Sequence, residues 1–209
     1  TKTINLGVLG IDHGHIFDML DEMLKEGCSC NYFWTQGSPL TLDEFKKKYP
    51  QIKRVDNKSD ILNDDTIDMI LISSIPKDRA NLSIDAMKAG KDVMVDKPGC
   101  TTLEQLNNLK QTVKDTGKIW SINFSERFHV AAVAKAEELV AEGKIGKVKQ
   151  TIGTGPHRQG NYERPEWFYE RESYGGIITD IGSHQIHQFL VFTNSNEAKI
   201  THSIIENTT

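Results

Sequence analysis

Cysteine is scarce in this chain. Cys28, Cys30 and Cys100 are three of 209 residues. An odd number cannot all pair, and Cys28-Ser-Cys30 is too tight for a zinc knuckle and has no second pair downstream. The three are expected to be reduced thiols of a cytoplasmic protein. Long apolar runs are absent. None approaches the roughly 20 residues that a membrane span needs. The sequence opens Thr-Lys-Thr without a basic-then-apolar leader, so neither a secretory signal nor a membrane partner is expected. A basic excess is also missing: 25 Lys and Arg face 29 Asp and Glu, a net charge of −4. That balance argues against a nucleic-acid partner. What remains, with 37% hydrophobic and 26% charged residues, is a soluble globular chain of one large or two small domains.

The periodicity alternates between strand and helix. Residues 4–9 form a short apolar run ended by Gly10, as in a buried parallel strand. Ile16 to Leu24 carries a helical apolar stripe. Residues 30–34 read as a second strand, and Thr41 with Glu44 fits a capping box that opens a helix. Residues 68–73 are the clearest buried strand, broken by Pro76. A helix over 78–89 is stopped by Gly90, and a strand over 92–95 by Pro98. A helix over 102–116 is closed by Gly117, before a last strand at 119–122. Strands separated by such helices imply right-handed crossovers and an α/β fold, its parallel sheet covered on both faces.

The pattern changes near residue 123. The expected division is a Rossmann-type dinucleotide-binding domain over 1–122 and a partial α+β domain over 123–209. The second contains a helix at 130–142, strands at 148–154 and 199–205, a polar aromatic loop at 155–173, and a stretch over 177–192 that is apolar on one face. Two strands make a marginal sheet. That open sheet is expected to be completed by further strands or by a partner chain, giving a homo-oligomer.

Three stretches carry chemistry. Gly7-Val-Leu-Gly10-Ile11-Asp12-His13-Gly14-His15 lies where a glycine-rich phosphate turn belongs, between first strand and first helix. Its second and third glycine positions hold Asp12 and His15, and an anionic Asp12 would repel a diphosphate. Asp12 as a helix N-cap is the competing reading. At the end of the second strand stands Thr35-Gln36-Gly37-Ser38, with neither the carboxylate typical of NAD binding nor an arginine for NADP. Asp96-Lys97-Pro98 ends the strand at 92–95, where a lysine faces the crevice of an open parallel sheet. Pro98 is a candidate cis residue; a surface lysine in a turn is the alternative. In Gly175 to His187, Asp180, His184 and His187 fall at i, i+4 and i+7, on one face of a helix. An Asp one turn from a His suits a general acid/base. A satisfied core histidine is the plainer alternative, and a metal site of Asp180, His184 and His187, serving a metal-dependent isomerase or hydrolase, is a weaker one.

Together these stretches resemble the Gfo/Idh/MocA family of glucose-fructose oxidoreductase and inositol dehydrogenase-like enzymes. Ala89-Gly-Lys-Asp-Val-Met-Val-Asp-Lys-Pro98 is similar to that family's glycine-lysine to glutamate-lysine-proline segment, with Asp96 in place of Glu. Gly175-Gly to His184 is similar to its glycine-aspartate-histidine helix. Ser73-Ser-Ile-Pro76, Asn123 to Phe128 and Gly143 to Val148 match in order. The resemblance implies hydride transfer between NAD or NADP and a sugar, inositol or related polyol. It implies Lys97, Asp180 and His184 as catalytic, with cofactor contacts from Gly10, Ile11, Asp12, His13, Ser73, Pro76 and Lys97. The family's aspartate three residues beyond the histidine is His187 here. Arg158, Arg164, Trp167 and Tyr169 are either pocket-lining residues or part of a solvated loop. The altered glycine turn leaves open a non-enzymatic module of the same fold that senses cofactor or sugar. Family chains are longer, so the resemblance also implies a chain that stops before its second sheet is complete.

Overall fold

The computed structural model describes residues 3–155 and 163–206. Its strands are β1 (Asn5–Leu9), β2 (Ser29–Trp34), β3 (Lys53–Arg54), β4 (Met69–Ile72), β5 (Asp92–Asp96) and β6 (Trp120–Asn123). They form one parallel sheet in the order β3-β2-β1-β4-β5-β6. The expected strands of the first domain all appear. β3 was not expected, because two exposed residues carry no apolar period.

The crossover helices are α1 (His15–Lys25), α2 (Leu42–Lys48), α3 (Lys58–Leu62), α4 (Pro76–Lys88) and α5 (Leu103–Thr116). The strand period of two sends alternate side chains to opposite layers. Leu6, Val8, Phe33 and Leu71 pack with Ile16, Leu20 and Phe45 on one face. Leu9, Ile70, Ile72, Val93 and Val95 pack with Ala80, Ala86 and Leu109 on the other. Both faces are therefore dry, as a parallel sheet requires.

Helix ends follow local chemistry. Pro76 opens α4 at a position where its missing N–H costs nothing. The Thr102 hydroxyl accepts from Gln105 N at 3.1 Å, and Gly117 closes α5 at φ 65°. The capping box of Thr41 and Glu44 does not form. Thr41 has helical backbone angles, and its hydroxyl donates to the Ile11 carbonyl instead. That bond ties α2 to the turn after β1.

Beyond β6 lie α6 (Ser125–Phe128), α7 (Ala131–Ala141), a 3₁₀ turn (Glu166–Tyr169), α8 (Arg171–Tyr174), a π-helical turn (Ile178–Gly182) and α9 (Ser183–Thr193). The chain divides into two compact units. One comprises Thr1–Phe124 with Gln159–Asp180, and the other Ser125–Arg158 with Ile181–Thr209. The second unit is helical among the described residues. Arg127 holds Glu137 from α6 to α7 with two bonds, 2.5 and 3.1 Å. The segments expected as strands at 148–154 and 199–205 are in no regular structure. A strand exists only through a partner's backbone, and among the described residues none is paired with either. Ile152, Ile200 and Ile204 stand exposed in consequence.

Candidate active site

β1 and β4 are neighbours, but their connections leave in opposite directions, so a crevice opens at their carboxyl ends. The turn after β1 is tied to both neighbours. Gly10 N donates to Trp34 O at 2.7 Å, and Ser73 N to Gly10 O at 3.2 Å. His13 N donates to Ser73 O at 3.0 Å, and Ser73 Oγ to His13 O at 3.2 Å. Gly10 sits at φ +82°, and a Cβ there would lie 2.4 Å from Ser74 Cβ. Gly10→Ala is expected to cost about 1–3 kcal/mol from the left-handed backbone alone. A thermal melt showing no loss would contradict this.

The turn borders a cavity of about 550 Å³ lined in part by Gly10, Asp12, Trp34, Gln36, Ser74 and Asn81. A second, of about 450 Å³, has Asp12, Lys77, Arg164 and Trp167 among its walls. Arg164 and Trp167 thus line a pocket; Arg158 lies outside the described residues. Asp12 is not the N-cap of α1, a position taken by Gly14. Burial raises its carboxyl to about 6, assisted by the nearby charge of Asp78. Ile11 is fully buried in the core, so only its backbone borders the turn.

Asp96, at the end of β5, is fully buried and heavily bonded. Arg79 Nη2 donates to its Oδ2 at 2.9 Å, His15 Nδ1 lies 2.8 Å from Oδ1, and Ser73 Oγ lies 3.3 Å from Oδ2. Burial pushes this carboxyl up, but the Arg79 guanidinium and the His15 hydrogen bond outweigh it and hold it well below the usual carboxylate range. Arg79 is itself fully buried on α4. It also donates to the carbonyls of Ser74, Asp96, Lys97 and Pro98 at 2.6–3.2 Å. Every strand-end carbonyl of the lysine segment therefore meets one guanidinium. The Lys97–Pro98 peptide is cis.

Lys97 follows Asp96 and is buried. Its Nζ lies 2.7 Å from Asp180 Oδ1 and 3.2 Å from the Asp180 carbonyl. The sequence placed these two in separate stretches; the fold joins them as an ion pair. Asp180 lies in the π-helical turn rather than on a regular α-helix, and His184 and His187 follow in α9. His184 is buried within the second unit's helix. The metal-type donors that cluster among the described residues are His13, His15 and Asp96, rather than Asp180, His184 and His187.

Three residues escaped the sequence reading. Arg79 was invisible because one arginine on an amphipathic helix looks solvated; only the depth of α4 reveals its role. His15 stood in the altered turn, yet its partner Asp96 is 81 residues away. Arg54 Nη2 donates to the carbonyls of Thr35 and Gly37 at 3.0 and 2.7 Å, supporting the turn after β2.

The crevice fits a dinucleotide on its own geometry: a left-handed glycine that admits no Cβ, at the switch point of a parallel sheet, beside a cavity of ligand size. Comparison with known proteins agrees. Residues 36–124 match the family model described as "Oxidoreductase family, NAD-binding Rossmann fold", and residues 133–205 match the GFO/IDH/MocA C-terminal domain. The chain is 24% identical to scyllo-inositol 2-dehydrogenase (NADP(+)) of Bacillus subtilis, over 90% of this chain and 51% of that protein. It is 30% identical to D-xylose dehydrogenase of Paenarthrobacter nicotinovorans, over 59% of this chain and 33% of that protein. A solved structure from Erwinia carotovora atroseptica SCRI1043, named as an oxidoreductase, superposes with a TM-score of 0.88 at 39% identity, covering 92% of this chain and 57% of that one. The chain spans about half the length or less of these curated relatives. With both of its domain models matched in order, the chain belongs to the Gfo/Idh/MocA oxidoreductase family.

Proposed function

We propose that this chain carries the cofactor domain and the catalytic residues of an oxidoreductase that interconverts a hydroxyl and a carbonyl on a sugar, inositol or related polyol. The observation that supports this most is the buried Lys97–Asp180 pair at the carboxyl end of β5, 2.7 Å apart. A nicotinamide cofactor, when bound, supplies or accepts the hydride. Gly10, Asp12, His13 and Ser73 border its crevice, with Pro76 opening the adjacent helix. The protein's part is the oxygen and its proton. The Lys97 ammonium, oriented by Asp180, stabilises charge on the reacting oxygen, and its low-dielectric setting strengthens that effect. His184, one turn beyond Asp180 in the chain, is the proposed general acid/base for the hydroxyl proton.

We further propose that the protein works as a homo-oligomer in a reducing cytoplasm, where Cys28, Cys30 and Cys100 stay as free thiols. The functional test is calorimetric titration with NADH and NADPH, followed by a polyol and sugar screen with each cofactor. Binding of one cofactor and turnover of at least one polyol are expected. Binding without turnover of any polyol would point to a sensing module, and no binding at all would end the proposal.

A further inference from the structure

Burying a cation costs free energy that an apolar residue does not, and a buried ion pair seldom exceeds its hydrophobic replacement in stability. Arg79 is fully buried all the same. What a guanidinium offers there is direction, from a rigid planar fork of five N–H donors. Arg79 lies near the start of α4, the crossover between β4 and β5, and it bonds the carboxyl ends of both strands. Just beyond β4, the Ser74 carbonyl accepts from its Nε at 2.8 Å. At β5, its Nη2 donates to Asp96 Oδ2 at 2.9 Å. Its Nη1 faces the carbonyls of Asp96, Lys97 and Pro98 at 3.1, 2.6 and 3.2 Å. Three consecutive carbonyls centred on Lys97 thus share one nitrogen. The two strand ends serve different parts of the site. Ser74 lines the cavity of about 550 Å³ and packs against Gly10, so closely that a Cβ there would meet it. Lys97 carries the ammonium that Asp180 holds at 2.7 Å. Hydride transfer needs the cofactor and the reacting oxygen in one fixed relation, and a displacement of about 1 Å can cost about 100-fold in rate. A flexible lysine stem keeps its ammonium in place only if its tip is held and its backbone is fixed. Asp180 holds the tip, and Arg79 fixes the backbone.

Resting on the oxidoreductase reading above, we propose that Arg79 is a positioning residue for the reaction: its guanidinium sets the Lys97 segment in fixed relation to the cofactor turn, and turnover depends on it through Lys97. Being fully buried, it acts only through the groups it holds. A lysine at this position keeps the charge that faces Asp96. Its single ammonium is a point charge without the fork, and it cannot serve the Ser74 carbonyl, the carboxylate and three further carbonyls together. Arg79→Lys therefore separates charge from direction.

The test uses the whole chain and two readouts. Labelling with acetic anhydride, followed lysine by lysine by mass spectrometry, reports on the Lys97 segment without any need for turnover. Lys91, at the other end of β5, is the internal control: it is as buried as Lys97, and its Nζ donates to the Asp64 carbonyl at 2.6 Å. Arg79→Lys should speed the labelling of Lys97 about tenfold, the equivalent of one lost charge-assisted hydrogen bond, and leave Lys91 unchanged. A general loosening of the fold would raise both together. The second readout is polyol turnover per cofactor-binding site, with sites counted by calorimetry using NADPH or NADH, so that unfolded molecules drop out. It should fall about 100-fold in Arg79→Lys. In a Lys97→Met background the same substitution should cost less than about threefold, because the group it positions is gone. Should Arg79→Lys fail to fold, the neutral pair Arg79→Gln/Asp96→Asn leaves no stranded charge and is held to the same outcomes. Lys97 labelling at the parent rate, or rising only in step with Lys91, would overturn the proposal. So would parent-like turnover per site, or losses that multiply in the double variant. A parent chain that binds neither cofactor, or that turns over no polyol, would instead overturn the oxidoreductase reading, and the labelling would then decide by itself whether Arg79 holds the lysine segment.

Discussion

Turnover should fall about 1,000-fold when Lys97 is replaced by methionine, a loss within the range for a proton-handling or charge-stabilising side chain. Dinucleotide affinity should fall far less than turnover, since Lys97 is also an expected cofactor contact but its main interaction is with the reacting oxygen. The substitution also has a structural cost, because Asp180 loses the ammonium 2.7 Å away in a buried setting. Breaking such a pair costs about 3–5 kcal/mol. The double variant Lys97→Met/Asp180→Leu separates the two effects. Replacing both members of a buried pair by apolar residues is often neutral for stability, so the melting temperature should recover while turnover stays lost. Turnover that returns with stability would show that Lys97 is structural only.

The second large effect is on stability. Arg79→Leu should destabilise the first unit by about 3–5 kcal/mol, because it strands a fully buried carboxylate and several strand-end carbonyls. For a chain of this size that corresponds to a fall of about 10 °C in melting temperature. A shift under about 3 °C would mean that the Asp96 cluster is stable without its guanidinium. The same cluster makes the protein acid-sensitive, and the sign follows from each group. Asp96 has a depressed folded pKa, so its contribution is complete above the unfolded carboxylate value near 4 and is lost as the pH falls below it. His13 is lowered from 6.5 to about 3. The unfolded chain therefore takes up a proton near pH 6.5 that the native ring refuses until about pH 3, and stability declines across that interval. The raised Asp12 carboxyl acts in the opposite sense, taking up its proton near pH 6 in the native state, so urea midpoints should fall only modestly from pH 7 to pH 5 in the parent chain, and should not fall in His13→Asn.

How much of this was legible beforehand depends on distance along the chain. The sheet was readable because each buried strand is a short apolar run bounded by Gly, Pro or Asp, and each crossover helix has its own stripe; those signals are local. The positions of Lys97, at a strand end, and of Asp180 and His184, within one glycine-bounded stretch, were local as well. The Thr41 capping box failed because its hydroxyl found Ile11, thirty residues away. The two expected strands of the second unit failed for a related reason. Alternation such as that of Ile200, His202 and Ile204 states which face a strand would bury, but a ladder needs a second backbone.

The sequence by itself determined the parallel α/β architecture, the place of the turn after β1 and the segment holding the lysine. It did so because hydrophobic period, glycine and proline act over a few residues. Only the tertiary structure decided the electrostatics. Parallel crossovers bring β1, β4 and β5 side by side, and so place His15 against Asp96 across 81 positions with Arg79 on the same carboxylate, while the π-helical turn beyond the sheet returns Asp180 to Lys97 across 83. Charges act through space and burial, and neither is written in the order of the residues.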